Sequence, residues 1–414
     1  MHRTPRFRAL VAACAVVVAG SLTLPVATSM APAAADTLPE PVRADVLPAP
    51  QVNGVVWKLA IAGDTAFAGG QFTEARPFGV AAGGPGAITN GNPDPNVKLN
   101  LIAFDITTGA LNTSFVPEFN GQINDMAVTP DETKLVVVGS FTKVNGVTRN
   151  RVAVFDLPSL TLDDTVKPGT DAVVYGVTAT NSTIWIGGIF SSITGPGPGA
   201  LPTPRSRLGS FSATTGELTS LQIPVENGRV NSVVVSPDGT QIAFGGSFTS
   251  VGGSSAPGYG LYRADAVTGA GKPLPVNAII RNAGDNSAIL SMASDGTSFY
   301  GAGYNFHGVA GAAGGTSEGV FQASWSDGAL VTLEDCHGDS YGVAPVDGIV
   351  YVASHHHNCT NSGGFPQTQP NWTLWHATRR PAAVLPPVHR RQCHRSGTGD
   401  LDRGGQLPVR ALRR

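Results

Sequence analysis

The side chains best equipped for chemistry lie in two short runs, Glu334-Asp335-Cys336-His337-Gly338-Asp339 and His355-His356-His357-Asn358. Imidazole nitrogen and carboxylate oxygen suit zinc or copper, so a metal centre is one reading of this cluster. If the two runs are adjacent strands, alternation sends His355 and His357 to one face and His356 to the other. A ligand set of two histidines and a carboxylate can then be drawn from Asp335, His337, Asp339, His355 and His357. The alternative is a group of ordinary hydrogen-bonded polar residues beside a disulfide. The spacing matches no defined metal motif. No G-x-S-x-G elbow, H-E-x-x-H or P-loop occurs either, so no catalytic residue is singled out and no cofactor is called for. Glycoside hydrolysis needs only two carboxylates, and no pair stands out.

Of the four cysteines, Cys14 lies in the leader and Cys393 in the tail. Cys336 and Cys359 flank one hairpin. In an exported chain they read as a disulfide, worth about 3 kcal/mol if the effect is chain entropy.

The elements that must position these residues belong to a repeat. Its clearest copy runs from Asn231 to Gly269. The β-branched run Val233 to Val235 meets the turn Ser236-Pro237-Asp238-Gly239, with proline and glycine at positions that fix a hairpin. The return strand, Gln241 to Phe244, ends in Gly245-Gly246, where a missing Cβ permits a bulge or close backbone approach. A third strand around Gly260 to Arg263 closes on Val267-Thr268-Gly269, so a fourth should follow. The strand end recurs as Gly69-Gly70-Gln71-Phe72-Thr73, Val138-Gly139-Ser140-Phe141-Thr142 and Gly187-Gly188-Ile189-Phe190-Ser191, and degenerately as Gly301-Ala302-Gly303-Tyr304-Asn305-Phe306. The phenylalanines at 72, 141, 190, 248 and 306 are 69, 49, 58 and 58 residues apart. A sixth first strand begins at Tyr341. Four short antiparallel strands cannot bury both faces alone, so neighbouring copies must cover them. The expectation is an all-β chain: a β-propeller of about six to seven four-stranded blades, the last one incomplete.

The glycine, aromatic and hydroxyl strand end, together with the S-P-D-G and T-T-G turns, resembles the delta-sixty-type repeat propellers of secreted actinobacterial-type proteins. It is more distantly similar to kelch and galactose-oxidase propellers, although the spaced tyrosine and tryptophan of kelch repeats are missing. The resemblance spans roughly residues 50 to 365. It implies a fold and a secreted bacterial setting, and it implies no activity. The copper-radical chemistry of galactose oxidase would need tyrosine paired with histidine and a free cysteine, whereas the cysteine best placed here reads as disulfide-bonded.

Residues 1–35 form a signal peptide: Arg3, Arg6 and Arg8 precede an apolar run that ends in Ala33-Ala34-Ala35. Residues 36–50 are a Pro-rich lead-in and 51–370 the propeller repeats. Two stretches rich in Gly and Pro, Glu74 to Val97 and Gly195 to Gly199, read as mobile insertions. Residues 371–414 form a basic irregular tail, where strand alternation and nearly all carboxylates vanish and the sequence reads as an out-of-frame or truncated end. The chain has 27 basic and 29 acidic residues; between 36 and 370 these become 15 and 27 once the signal and tail are set aside, a net of about −12. Such a surface repels phosphate backbones, which argues against nucleic acid as a partner. No second apolar run is long enough to span a bilayer once the signal is cleaved.

Function follows only as an expectation. The chain is a secreted or cell-surface binding or scaffold module whose glycan or protein ligand sits on a loop face. The rival is a carbohydrate-active or oxidase-type enzyme using the Asp335–Asp339 and His355–His357 cluster.

Overall fold

A first strand, a tight turn, a return strand ending in small residues and a third strand recur six times in the folded chain. The computed structural model describes residues 47–255, 260–278, 287–305, 319–335, 338–354 and 373–378. All of them lie in the second of two compact units, Pro39–Arg414. The first strands are Val55–Ala62, Ile123–Val128, Val174–Ala179, Val230–Val235, Ser287–Ser294 and Ser340–Val346. Each pairs antiparallel with the strand after it, which pairs with the next, so six small sheets follow in chain order. Among the described residues the one helical segment is the single 3-10 turn Pro275–Ala278.

Three expectations change in detail. Among the described residues a regular fourth strand completes only the second and fifth sheets, as Thr161–Leu162 and Leu330–Asp335. Elsewhere the described fourth position is a single bridge, such as Phe104 with Leu111 or Phe211 with Leu218. Strands tie down both insertions: within the first, Glu74–Arg76 and Ile88–Thr89 join Gln51–Val52 in a small sheet, and on either side of the second, Ser192–Thr194 and Pro202–Pro204 join Gly169–Thr170. Glu74–Arg76 and Ser192–Thr194 thus pair with the chain just ahead of their own sheet's first strand, which satisfies their backbone groups. Finally, Thr373–Thr378, inside the stretch that composition assigns to irregular tail, pairs along its whole length with Ile349–Ser354. Its residues, Thr-Leu-Trp-His-Ala-Thr, are good strand formers, and the arginine-rich composition begins only after them.

Every first strand carries a bulge at one repeat position, namely Trp57, Asn124, Tyr175, Asn231, Leu290 and Tyr341. The paired small residues opposite explain it. A Cβ on Gly70, Gly139, Gly188, Gly246 or Gly303 would overlap a carbonyl oxygen of its own sheet's first strand or of the residue just before it. The preceding glycine faces the following sheet: a Cβ on Gly69 would meet Met126 Sδ at 2.8 Å, and one on Gly245 would run into Ile289. The doublet therefore serves two contacts, one within a sheet and one between sheets.

Apolar clusters fill the spaces between successive sheets. Val136, Val138, Val152 and Val154 of the second sheet pack with Val174, Val177, Ile184 and Ile186 of the third. Tyr300 and Val320 of the fifth pack with Val343, Val350 and Val352 of the sixth. Each such side chain contributes about 1.5–3 kcal/mol when fully buried. The first strands also contact one another in succession, from the first sheet to the sixth.

Polar bonds repeat along that succession. Asn124 Nδ2 donates to Val174 O at 2.8 Å, and Asn231 Nδ2 to Ile289 O at 2.8 Å, each from a bulge residue to the residue ahead of the next sheet's bulge. Asp125 Oδ2 accepts from Val177 N at 2.9 Å, and Ser232 Oγ from Met292 N at 3.1 Å. Lys58 Nζ reaches Asp125 Oδ1 at 2.9 Å. Farther out, Asn100 and Arg151 hold positive φ just ahead of a third strand and donate to Gly121 O and Thr170 O of the next repeat.

Candidate functional site

The cluster singled out from the sequence is described only in part. Asp335 ends the strand Leu330–Asp335, in register with Gly319. Asp339 precedes the first strand of the sixth sheet and accepts from Tyr341 Oη at 3.2 Å. His337, His355, His357, Cys336 and Cys359 lie outside the described residues. Among the described residues no three of His, Cys, Asp and Glu gather in a metal-binding arrangement.

The repeat count adds information about those sequence positions. Asn53 stands four residues before its bulge residue. Its Oδ1 accepts from Thr73 N and Glu74 N, and its Nδ2 donates to Thr73 Oγ1 at 2.7 Å. Asn120 makes the same clasp on Thr142 at 2.7 Å, Asn227 on Thr249 at 2.6 Å, and Asp171 on Ser191. One position outward in the first arm and two in the second, Val52 faces Ala75, Thr170 faces Ile193 and Phe119 bridges to Val144. In the sixth copy, Tyr341 marks the bulge and Ser354 the paired strand end. Counting along the sequence from them, His337 and His357 stand as many residues away as Asn53 and Thr73 do from Trp57 and Gly70, and Cys336 and Cys359 as many as Val52 and Ala75 do.

A second candidate lies wholly within described residues; of its members the sequence had singled out only Pro237, Asp238, Gly239 and Val267, as parts of turns. At one end of the second, third and fourth sheets, strand-joining turns surround a cleft of about 560 Å³. The second sheet supplies Pro130, the third Asn181, Trp185 and Ser220, and the fourth Asp238 and Val267. Local chemistry fixes each turn. Asp238 Oδ1 accepts from Ser236 Oγ at 2.6 Å, Thr240 N at 3.0 Å and Thr240 Oγ1 at 2.9 Å. These bonds, that from the Ser236 hydroxyl foremost, hold its carboxyl below the usual aspartate range. Asn181 Oδ1 accepts from Asp131 N at 2.9 Å, tying the third sheet's turn to the second's. Trp185 is nearly buried and its indole Nε1 donates to Ala266 O at 3.4 Å, while Val267 is 66% exposed at the rim. What sequence could not supply was that turns about fifty residues apart converge.

No family model matches the chain, and no curated protein matches it. Among solved structures, the chain is similar to the crystal structure of the computationally designed Ika8 protein at TM-score 0.42 and 11% identity, over 75% of this chain and 71% of that one. It is also similar to a chain of the mitotic checkpoint complex at TM-score 0.40 and 13% identity, over 80% of this chain and 82% of that one.

Proposed function

We propose that this chain is an exported β-propeller of the delta-sixty-type repeat class, acting as a binding or scaffold module at the cell surface for a glycan or protein ligand held on a loop face. The observation behind this reading is the row of first strands, in which side-chain hydrogen bonds stitch the second sheet to the third and the fourth to the fifth. A row fixed in this way leaves the strand-joining turns as a stable display surface, the usual place for binding residues on a rigid scaffold. The test is co-sedimentation. The purified chain should pellet with insoluble bacterial cell-wall polysaccharide or with cell-envelope protein, and failure to pellet with either would overturn the proposal.

A second reading is a metal centre in the sixth repeat, serving a carbohydrate-active or oxidase-type enzyme. It draws on the count that sets His337 and His357 at the positions of Asn53 and Thr73. Directly opposed residues of an antiparallel pair are within cystine distance, which favours the Cys336–Cys359 disulfide at the positions of Val52 and Ala75. One preparation tests both points. Denatured without reductant, these two cysteines should resist alkylation, and their labelling would exclude the bridge. Elemental analysis should find metal in the parent and none in a His337→Asn, His357→Thr double variant, which restores the side-chain pair of the first repeat. A metal-free parent removes the second reading.

A further inference from the structure

We propose that the cleft between the turns of the second, third and fourth sheets binds a short neutral oligosaccharide, an inference that rests on the binding-module reading and names its ligand class. Three features of the cleft argue for this. The first is the supply of hydrogen-bonding groups without protein partners. Asn181 engages only its Oδ1, Asp238 only its Oδ1, and Ser220 Oγ makes no bond among the described residues. One amide donor, one carboxylate oxygen and one hydroxyl thus remain for a ligand. Sugar hydroxyls, which both donate and accept, match such a mixture.

The second feature is charge. No lysine or arginine lines the cleft, and Asp238 is its one ionisable side chain. An anionic ligand such as a phosphate or a uronic acid chain would meet a carboxylate with no compensating cation, so it is disfavoured. The apolar lining is Pro130, Pro237, Ala266 and Val267, with Trp185 nearly buried, and these small patches suit the C–H groups of a pyranose better than a long aliphatic chain.

The third feature is backbone saturation. Thr129 N donates to Lys134 O, Thr180 N to Thr183 O and Ser236 N to Gln241 O, so each turn closes on itself. The backbone groups in these closing pairs are not free for a peptide strand to extend. The volume, about 560 Å³, is within the range of small-ligand clefts.

The experiment is calorimetric titration of the purified chain with maltohexaose, cellohexaose, xylohexaose and laminarihexaose, and with hexagalacturonate as the anionic comparison. At least one neutral probe should bind. The Asn181→Ala, Ser220→Ala double variant should bind it about tenfold or more weakly, the loss expected for two hydrogen bonds. Ser220→Ala alone, which removes no bond internal to the fold, should weaken binding severalfold and guards against misfolding of the double variant. No binding of any neutral probe, equal binding by parent and variants, or tighter binding of hexagalacturonate would each overturn the proposal. Co-sedimentation separates the two levels. A chain that pellets with cell-wall polysaccharide while its cleft variants are unaffected keeps the binding-module reading and loses the cleft; a chain that pellets with nothing loses both.

Discussion

Gly246→Ala is expected to destabilise the chain by about 3 kcal/mol or more, at the upper end of what overpacking costs. The added methyl would overlap the carbonyl oxygen of Arg229, just ahead of the fourth sheet's first strand. That oxygen cannot turn aside, because it accepts from Ser247 N at 3.0 Å and the two strands are paired on both sides of the bulge. Relief would require the register itself to shift, and with it the Asn231 bond to the fifth sheet. Gly197→Ala is the control: its methyl would meet nothing within 4 Å, and the change should stay within about 0.5 kcal/mol of the parent. Urea unfolding of the parent and both variants reads the result. Equal midpoints for the two variants would show that the bulge does not need its glycine.

The second large effect is expected at Asp163. Its side chain is 7% exposed, and Lys134 Nζ reaches Oδ2 at 2.6 Å and Asp156 Oδ1 at 3.0 Å. Asp163 Oδ1 accepts from Thr165 N at 2.6 Å and Val166 N at 2.9 Å. Replacing Asp163 by Ala strands those two amides and leaves a half-buried ammonium with one exposed partner. A loss of about 2–3 kcal/mol follows.

The same trio sets a pH dependence. Burial pushes the Asp163 carboxyl up, but the bonds from Lys134 and from the Val166 and Thr165 amides outweigh it and hold the group below its ordinary 3.8. For a carboxyl depressed in the folded state, the stabilisation is present above the unfolded value and lost as pH falls through the folded one. Lys134 shifts the other way. Burial lowers its pKa, yet the hydrogen bonds to Asp163 and Asp156 raise it above 10.5, so its contribution is present below that value and fades as pH rises past it. Stability measured by urea unfolding should therefore hold through the neutral range and fall below about pH 4. Asp163→Asn should flatten that acid limb. An unchanged limb would assign acid lability to other carboxyls such as Asp131 and Asp171, which hydrogen bonds also depress.

The repeat was legible in the sequence because its signals are local. A β-branched run such as Val233 to Val235, a proline and glycine turn and a glycine doublet each act within a few residues, and the two first strands placed from sequence, at Val233 to Val235 and from Tyr341, lie within Val230–Val235 and Ser340–Val346. The glycine doublet promised a bulge or a close approach, and the folded chain uses it for both. The fourth strands were overstated because a T-T-G turn fixes only the reversal. After Gly109 and Gly216 the chain returns as a single bridge, with Leu111 on Phe104 and Leu218 on Phe211, and then leaves.

The cluster of Asp335, His337, Asp339, His355 and His357 shows the limit from the other side. Alternation sorts its histidines between two faces, an expectation that falls on His337, His355 and His357, which lie outside the described residues. By itself the sequence determined the strands, the turns and their sixfold recurrence, because those depend on φ, ψ and side-chain period within one hairpin. Only the tertiary structure decided that Asn124 reaches Val174, that Asn181 holds the turn at Asp131, and that Pro130, Ser220 and Asp238 border one cleft. These partners lie far apart in the chain, and nothing local encodes the order in which one sheet covers the next.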